Sequence, residues 1–161
     1  MINLEEEIRN TNHSREQRNH FANLILQNPV LLPQLLEICH LVDDEISLRA
    51  SWGLEFLSKK KLETILPYLD SFISLLSKVY QHPAVRPTAK ICEYLTLAYY
   101  KYKNTEVRQY LTITYREKIA ETCFDWLITN QKVAAKAYSM TSLFLLGTEF
   151  DWIHTELKIT L

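Results

Sequence analysis

What most limits the possible folds is a repeated helical stripe with an alanine at its centre. Ile46-Ser-Leu-Arg-Ala50, Val85-Arg-Pro-Thr-Ala89 and Val133-Ala-Ala-Lys-Ala137 share one frame, a β-branched residue followed by alanine four positions later. Each frame continues into apolar residues one or two turns on: Leu54 and Leu57, Cys92 and Leu95, Met140 and Phe144. A fainter copy centres on Ala22. Steps of three and four put these residues on one helix face. The small alanine admits a neighbouring helix at close range. One helix pair cannot cover its own apolar flank, so pairs of this kind stack. The pattern therefore predicts an all-α chain: a single helical-repeat domain over residues 1–161, an α-α superhelix of about seven or eight helices in antiparallel pairs, with residues 1–13 loosely ordered.

Composition agrees with packed helices. Hydrophobic residues make up 47% of the 161 residues and charged residues 23%, enough for one core without disorder. Only two glycines occur, Gly53 and Gly147, which argues against turn-rich sheets and removes any glycine-rich phosphate loop. The helices expected are Ser14 to Leu26, with Ser14 and Gln17 forming a capping box; Val30 to Leu41; Asp43 or Asp44 to Ser58; Leu62 to Tyr80, bent at Pro67; Ala84 to Tyr102; Asn104 to Thr129; and Asn130 to Gly147. A short last helix follows, with Asp151 as its cap. Pro87 is expected in the first turn of its helix, where a missing N–H costs little. Cys39, Cys92 and Cys123 are well separated among apolar neighbours and read as reduced core residues.

These residues resemble the HEAT/armadillo class of α-solenoid repeats. Val85-Arg86-x-x-Ala89 is similar to the signature of a HEAT second helix. Asp44 ahead of Arg49 resembles the pair that forms ladders between such repeats, and Leu32-Pro33 and Leu66-Pro67 resemble the proline that bends a first helix. The resemblance implies a protein or peptide partner held on the concave surface. Arg49, Arg86, Lys90, Glu93 and Lys136 are the binding candidates there. A second candidate is a corner rich in rings and cations: Tyr99, Tyr100, Lys101, Tyr102, Lys103 and Arg108, where aromatic faces and positive charge alternate. Trp52 reads as packing, since Gly53 beside it admits a neighbour.

No catalytic constellation, metal set or cofactor motif emerges. The five histidines are scattered, and neither HExxH nor GxSxG occurs. Phe124-Asp125-Trp126 and Phe150-Asp151-Trp152 repeat one tripeptide and are similar to the Trp and Asp of HEAT-like DNA glycosylases, which makes DNA repair one enzymatic alternative. A net charge of −1 speaks against a nucleic-acid partner. The stretches VDDEISLRASWGLEF, AVRPTAKICEYLTLAYY and KAYSMTSLFLLGTEFDWIH are also similar to short Bacteroidetes-type proteins that carry the name adenylosuccinate lyase, a resemblance that implies purine nucleotide biosynthesis. The leading expectation is a non-enzymatic scaffold. The acidic start MINLEEE and the lack of a long apolar run point to a cytoplasmic protein without a membrane partner. The short terminal run Leu157-Lys-Ile-Thr-Leu161 suggests a homodimer through the C-terminal end.

Overall fold

The computed structural model describes residues 1–161 and is entirely helical, without a strand. Ten α-helices follow one another: α1 Leu4–Asn10, α2 Arg15–Gln27, α3 Leu31–Cys39, α4 Ile46–Lys60, α5 Leu69–Leu76, α6 His82–Thr96, α7 Thr105–Tyr110, α8 Ile113–Ile128, α9 Val133–Leu146 and α10 Asp151–Thr160. A 3₁₀ helix over Leu62–Tyr68 leads into α5, and a π-helix over Leu97–Lys101 extends α6. No helix is long and apolar enough to cross a membrane.

The count exceeds the seven or eight expected, for local reasons. Residues 1–13 contain α1, whose Leu4 and Ile8 are buried and pack against α3 and α4. The segment from Asn104 to Thr129 is two helices, because Leu111 leaves helical geometry and Thr112 caps α8 by accepting the Tyr115 N–H. Pro67 lies within the 3₁₀ turn and α5 restarts at Leu69, so the bend expected there is a change of helix type. Ser14 accepts the Gln17 N–H at the start of α2 as its spacing predicts. Asp151 is the first residue of α10 rather than its cap, which is Phe150.

Packing arranges the helices in two rows. α4 lies between α2 and α6, and α6 between α4 and α9. Consecutive helices α3 and α4, and α8 and α9, pack on each other, while α5 touches α3 and α8 behind the first row. His40, at the end of α3, helps join this second layer: its Nε2 lies 3.0 Å from the Ser71 carbonyl of α5. One core of 40 buried residues runs through the chain.

The first-row helices are notable for small buried side chains. Ala50 and Ala89 are fully buried, as are Ser139 and Ser142 of α9. Buried hydroxyls need partners, and these find them one turn back. Ser51 donates to the Ser47 carbonyl, Ser58 to Leu54, Thr88 to Ala84, Thr96 to Cys92 and Ser139 to Ala135. Thr96 and Ser142 meet directly across α6 and α9, with 3.3 Å between their oxygens. Gly53 does what a missing side chain permits, since the Phe21 ring of α2 fills the space a Cβ would take. The third alanine frame is offset, however. Ala137 faces solvent and Ala135 is the buried alanine. Successive alanines at 134, 135 and 137 leave the frame ambiguous, and the buried Ser139 and Ser142 settle it.

Pro87 is not in the first turn of α6. That position belongs to Pro83, and Pro87 lies in the second turn. With no N–H, Pro87 leaves the Pro83 carbonyl without its helical donor. Trp52 of α4 supplies one: its Nε1–H donates to Pro83 O at 3.1 Å. Trp52 is thus a packing residue, as expected, and also a hydrogen-bonding strut between α4 and α6. The three cysteines are buried and free, and burial pushes the Cys39 thiol up to about 12.

Two outcomes follow. Ala89→Leu should cost about 1–3 kcal/mol in denaturant unfolding through overpacking, while Ala137→Leu stays near zero. Trp52→Phe should cost about 1 kcal/mol more with Pro87 present than in a Pro87→Ala background, where a backbone N–H returns to Pro83 O.

Candidate functional site

A polar and aromatic strip crosses the outward face of the first row. On α4, the buried positions 46, 47, 50, 51, 53, 54, 56, 57 and 58 leave Arg49, Trp52, Glu55 and Lys59 more open to solvent. The same logic leaves Arg86, Lys90 and Tyr94 on α6. Arg86 Nη2 lies 3.2 Å from Glu55 Oε1, linking α6 to α4. Lys90 Nζ donates to Glu93 Oε1 at 2.6 Å, and sits 5.2 Å from the Tyr94 ring centre and 4.4 Å from that of Tyr138 on α9. The cation is therefore held between two rings with its carboxylate partner alongside.

The electrostatics follow from partial burial. Burial raises the Glu55 carboxyl above the ordinary value, against the pull of Arg86 and Lys90. Glu55 Oε1 is shut from solvent and lacks a well-directed hydrogen bond despite its closeness to Arg86. Burial also pushes the Tyr94 hydroxyl up to about 12, helped by the charges of Glu55 and Glu93.

Of the five residues expected on this surface, Arg86, Lys90 and Glu93 lie together. Arg49 does a different job: its Nη1 donates to the carbonyls of Arg9 and Thr11, at 3.2 and 3.0 Å, fastening the end of α1. Its side chain also lies over Trp52, 5.8 Å from the ring centre. Asp44 makes no ladder with Arg49; it accepts the Ile46 N–H at the start of α4. Lys136 forms no ion pair. Tyr138 and Glu55 complete the strip and were not among the expected residues. Glu55 is legible only once its neighbour on the next helix is known.

The second candidate region gathers around the π-helix. The Tyr102 N–H donates to Leu97 O and the Asn104 N–H to Ala98 O, while Lys103 takes the left-handed conformation at φ 51°. This widened turn places Tyr99 and Tyr100 edge to face, 4.7 Å between ring centres. Arg108 lies 5.2 Å above the Tyr99 ring. Lys101 lies 5.6 Å from the ring of the exposed Tyr102. The centre of the corner is a pair absent from the expected set, Arg116 of α8 and Glu149. Arg116 reaches Glu149 through Nε at 3.0 Å and Nη2 at 2.9 Å, donates Nη1 to Leu111 O, and lies 4.4 Å from the Tyr99 ring centre. Tyr100 donates its hydroxyl to the same carboxylate. The hydrogen bond from Arg116 holds Glu149 below the usual carboxylate range. Arg116 and Glu149 lie 33 positions apart, so no local pattern marks them. Tyr99 and Tyr100 thus brace a helix corner, while Lys101, Tyr102, Lys103 and Arg108 are exposed on it.

The tripeptide aromatics also pack together: Phe124 stacks on Trp152 at 5.6 Å and Trp126 is buried. At the end of the row, Phe144, His154, Leu157 and Leu161 surround an apolar hollow of about 440 Å³, the region to which the homodimer expectation refers.

The Glu149 carboxyl is lowered in the folded chain, so its pairing adds stability at neutral pH. That contribution is lost as pH falls below the unfolded glutamate value of about 4.3 and through the lower folded one. Glu149→Gln should cost roughly 1–2 kcal/mol at pH 7, discounted for its partial exposure, and much less at pH 3. Urea unfolding at the two pH values checks this. Comparison with models of known protein families, with curated proteins and with solved structures finds no match to this chain.

Proposed function

We propose that this protein is a short α-α superhelix of the HEAT/armadillo-like kind, a non-enzymatic scaffold that binds an acidic peptide segment. In this reading α2, α4, α6 and α9 are the inner helices, and α3, α5 and α8 the outer ones. One observation carries it: Glu55, Arg86, Lys90, Tyr94 and Tyr138 form a strip that crosses three helices. An extended peptide is long and narrow enough to follow such a strip, and its carboxylates are the natural partners of Arg86 and Lys90. The tyrosine rings add contact area at small entropic cost. Because Arg86 and Lys90 already have carboxylate partners, binding exchanges one ion pair for another. Charge here selects the partner more than it adds affinity.

The test is fluorescence anisotropy with a panel of labelled acidic peptides. The best binder should lose about tenfold in affinity with Arg86→Gln plus Lys90→Met, and its binding should weaken with added salt. Circular dichroism checks that the variant stays folded. Peptide binding that ignores both the substitutions and salt would refute the assignment of this face.

A further inference from the structure

Beside the strip, between α2 and α4, lies a pocket of about 310 Å³ with an unusual lining. Four cations surround it: Arg15 and Arg18 from the first turns of α2, and Lys59 and Lys60 from the last turn of α4. None of the four is in an ion pair. In a chain with net charge −1, this is a concentrated positive field. Arg18 is not a loose surface side chain, because its guanidinium lies over the Phe56 ring, 5.6 Å from the centre. That cation–ring contact restrains the guanidinium and leaves its N–H groups to donate. Asn19 adds an amide on the same wall.

The one acidic lining residue makes the pocket selective. Glu55 keeps Oε1 buried against Arg86, so Oε2 is the oxygen a ligand meets. A fully deprotonated anion would be repelled there. An anion that still carries a proton would donate an O–H hydrogen bond to Oε2 while its other oxygens accept from the arginines and lysines. Phosphate monoesters, whose second pKa is about 6, retain such a proton in part near neutrality, and inorganic phosphate, a weaker acid in its second ionisation, retains it more fully. Sulfate does not.

We propose that the α2–α4 pocket is a binding site for phosphate or a phosphate monoester, with Arg15, Arg18, Lys59 and Lys60 holding the charged oxygens and Glu55 accepting a hydrogen bond from the ligand's O–H. Binding here is reversible and involves no covalent step. It does not depend on the peptide reading, since the pocket and the strip share only Glu55.

Isothermal titration calorimetry of the whole chain at pH 6.5 tests the site, with inorganic phosphate and sulfate as probes. Phosphate should bind at least about tenfold more tightly than sulfate. Arg18→Ala plus Lys59→Ala should weaken phosphate about tenfold or more. Glu55→Gln, which can donate an amide N–H, should admit sulfate and narrow the gap to about threefold or less. Two further probes identify the source: O-phosphoserine bound more tightly than phosphate points to a modified protein, and ribose 5-phosphate bound more tightly points to a free metabolite. Equal binding of phosphate and sulfate by the unaltered protein would overturn the proposal. So would phosphate binding that ignores the loss of Arg18 and Lys59. A two-dimensional NMR spectrum of each variant confirms its fold.

Discussion

The close approach of α4, α6 and α9 is the constraint on which the rest of the structure depends. Alanines and hydroxyl residues line their buried sides, so little side-chain volume separates the helices. Serine and threonine are costly in a core unless bonded, and here most return to the carbonyl one turn earlier in their own helix. The core thereby tolerates polar atoms without a network that must be completed across helices. Gly53 extends the same device to α2 by admitting Phe21.

That spacing determines what the outward face can do. Helices this close bring Glu55 to Arg86 and Lys90 to Tyr138, so side chains from different helices act as one surface. Paired charges occupy its middle, and the uncommitted cations of α2 and α4 collect at one side. The Arg116–Glu149 corner has the opposite character. Its guanidinium is enclosed by a carboxylate, a carbonyl and a ring, which suits bracing better than exchange with a ligand.

The all-helical class and most helix starts were legible because periodicity and capping are local. Ser14 with Gln17 and the polar turn before Ile46 announce helices in the residues themselves. Where two local signals compete, neighbouring residues alone do not decide between them. Pro83 and Pro87 both suit a first turn, and only one can occupy it; the other depends on Trp52, 35 residues upstream. Ala135 and Ala137 are equally small, and burial of Ser139 and Ser142 selects the first. In α1, two apolar residues among glutamates give too weak a stripe to read alone, and the α1 end is held by Arg49 of another helix. Candidate sites fared similarly. Arg86, Lys90 and Glu93 lie on one helix and could be grouped by spacing. Arg116 with Glu149, and the α2–α4 pocket, join segments far apart in sequence, where pattern carries no information.

Native-state hydrogen exchange tests the central claim most directly. If close packing of α4, α6 and α9 organises the chain, their central amides will exchange only through global unfolding, with one shared free energy. The amides of α1, α7 and α10 will open at lower cost. An α9 that exchanges well before α4 and α6, at a free energy of its own, would contradict the account.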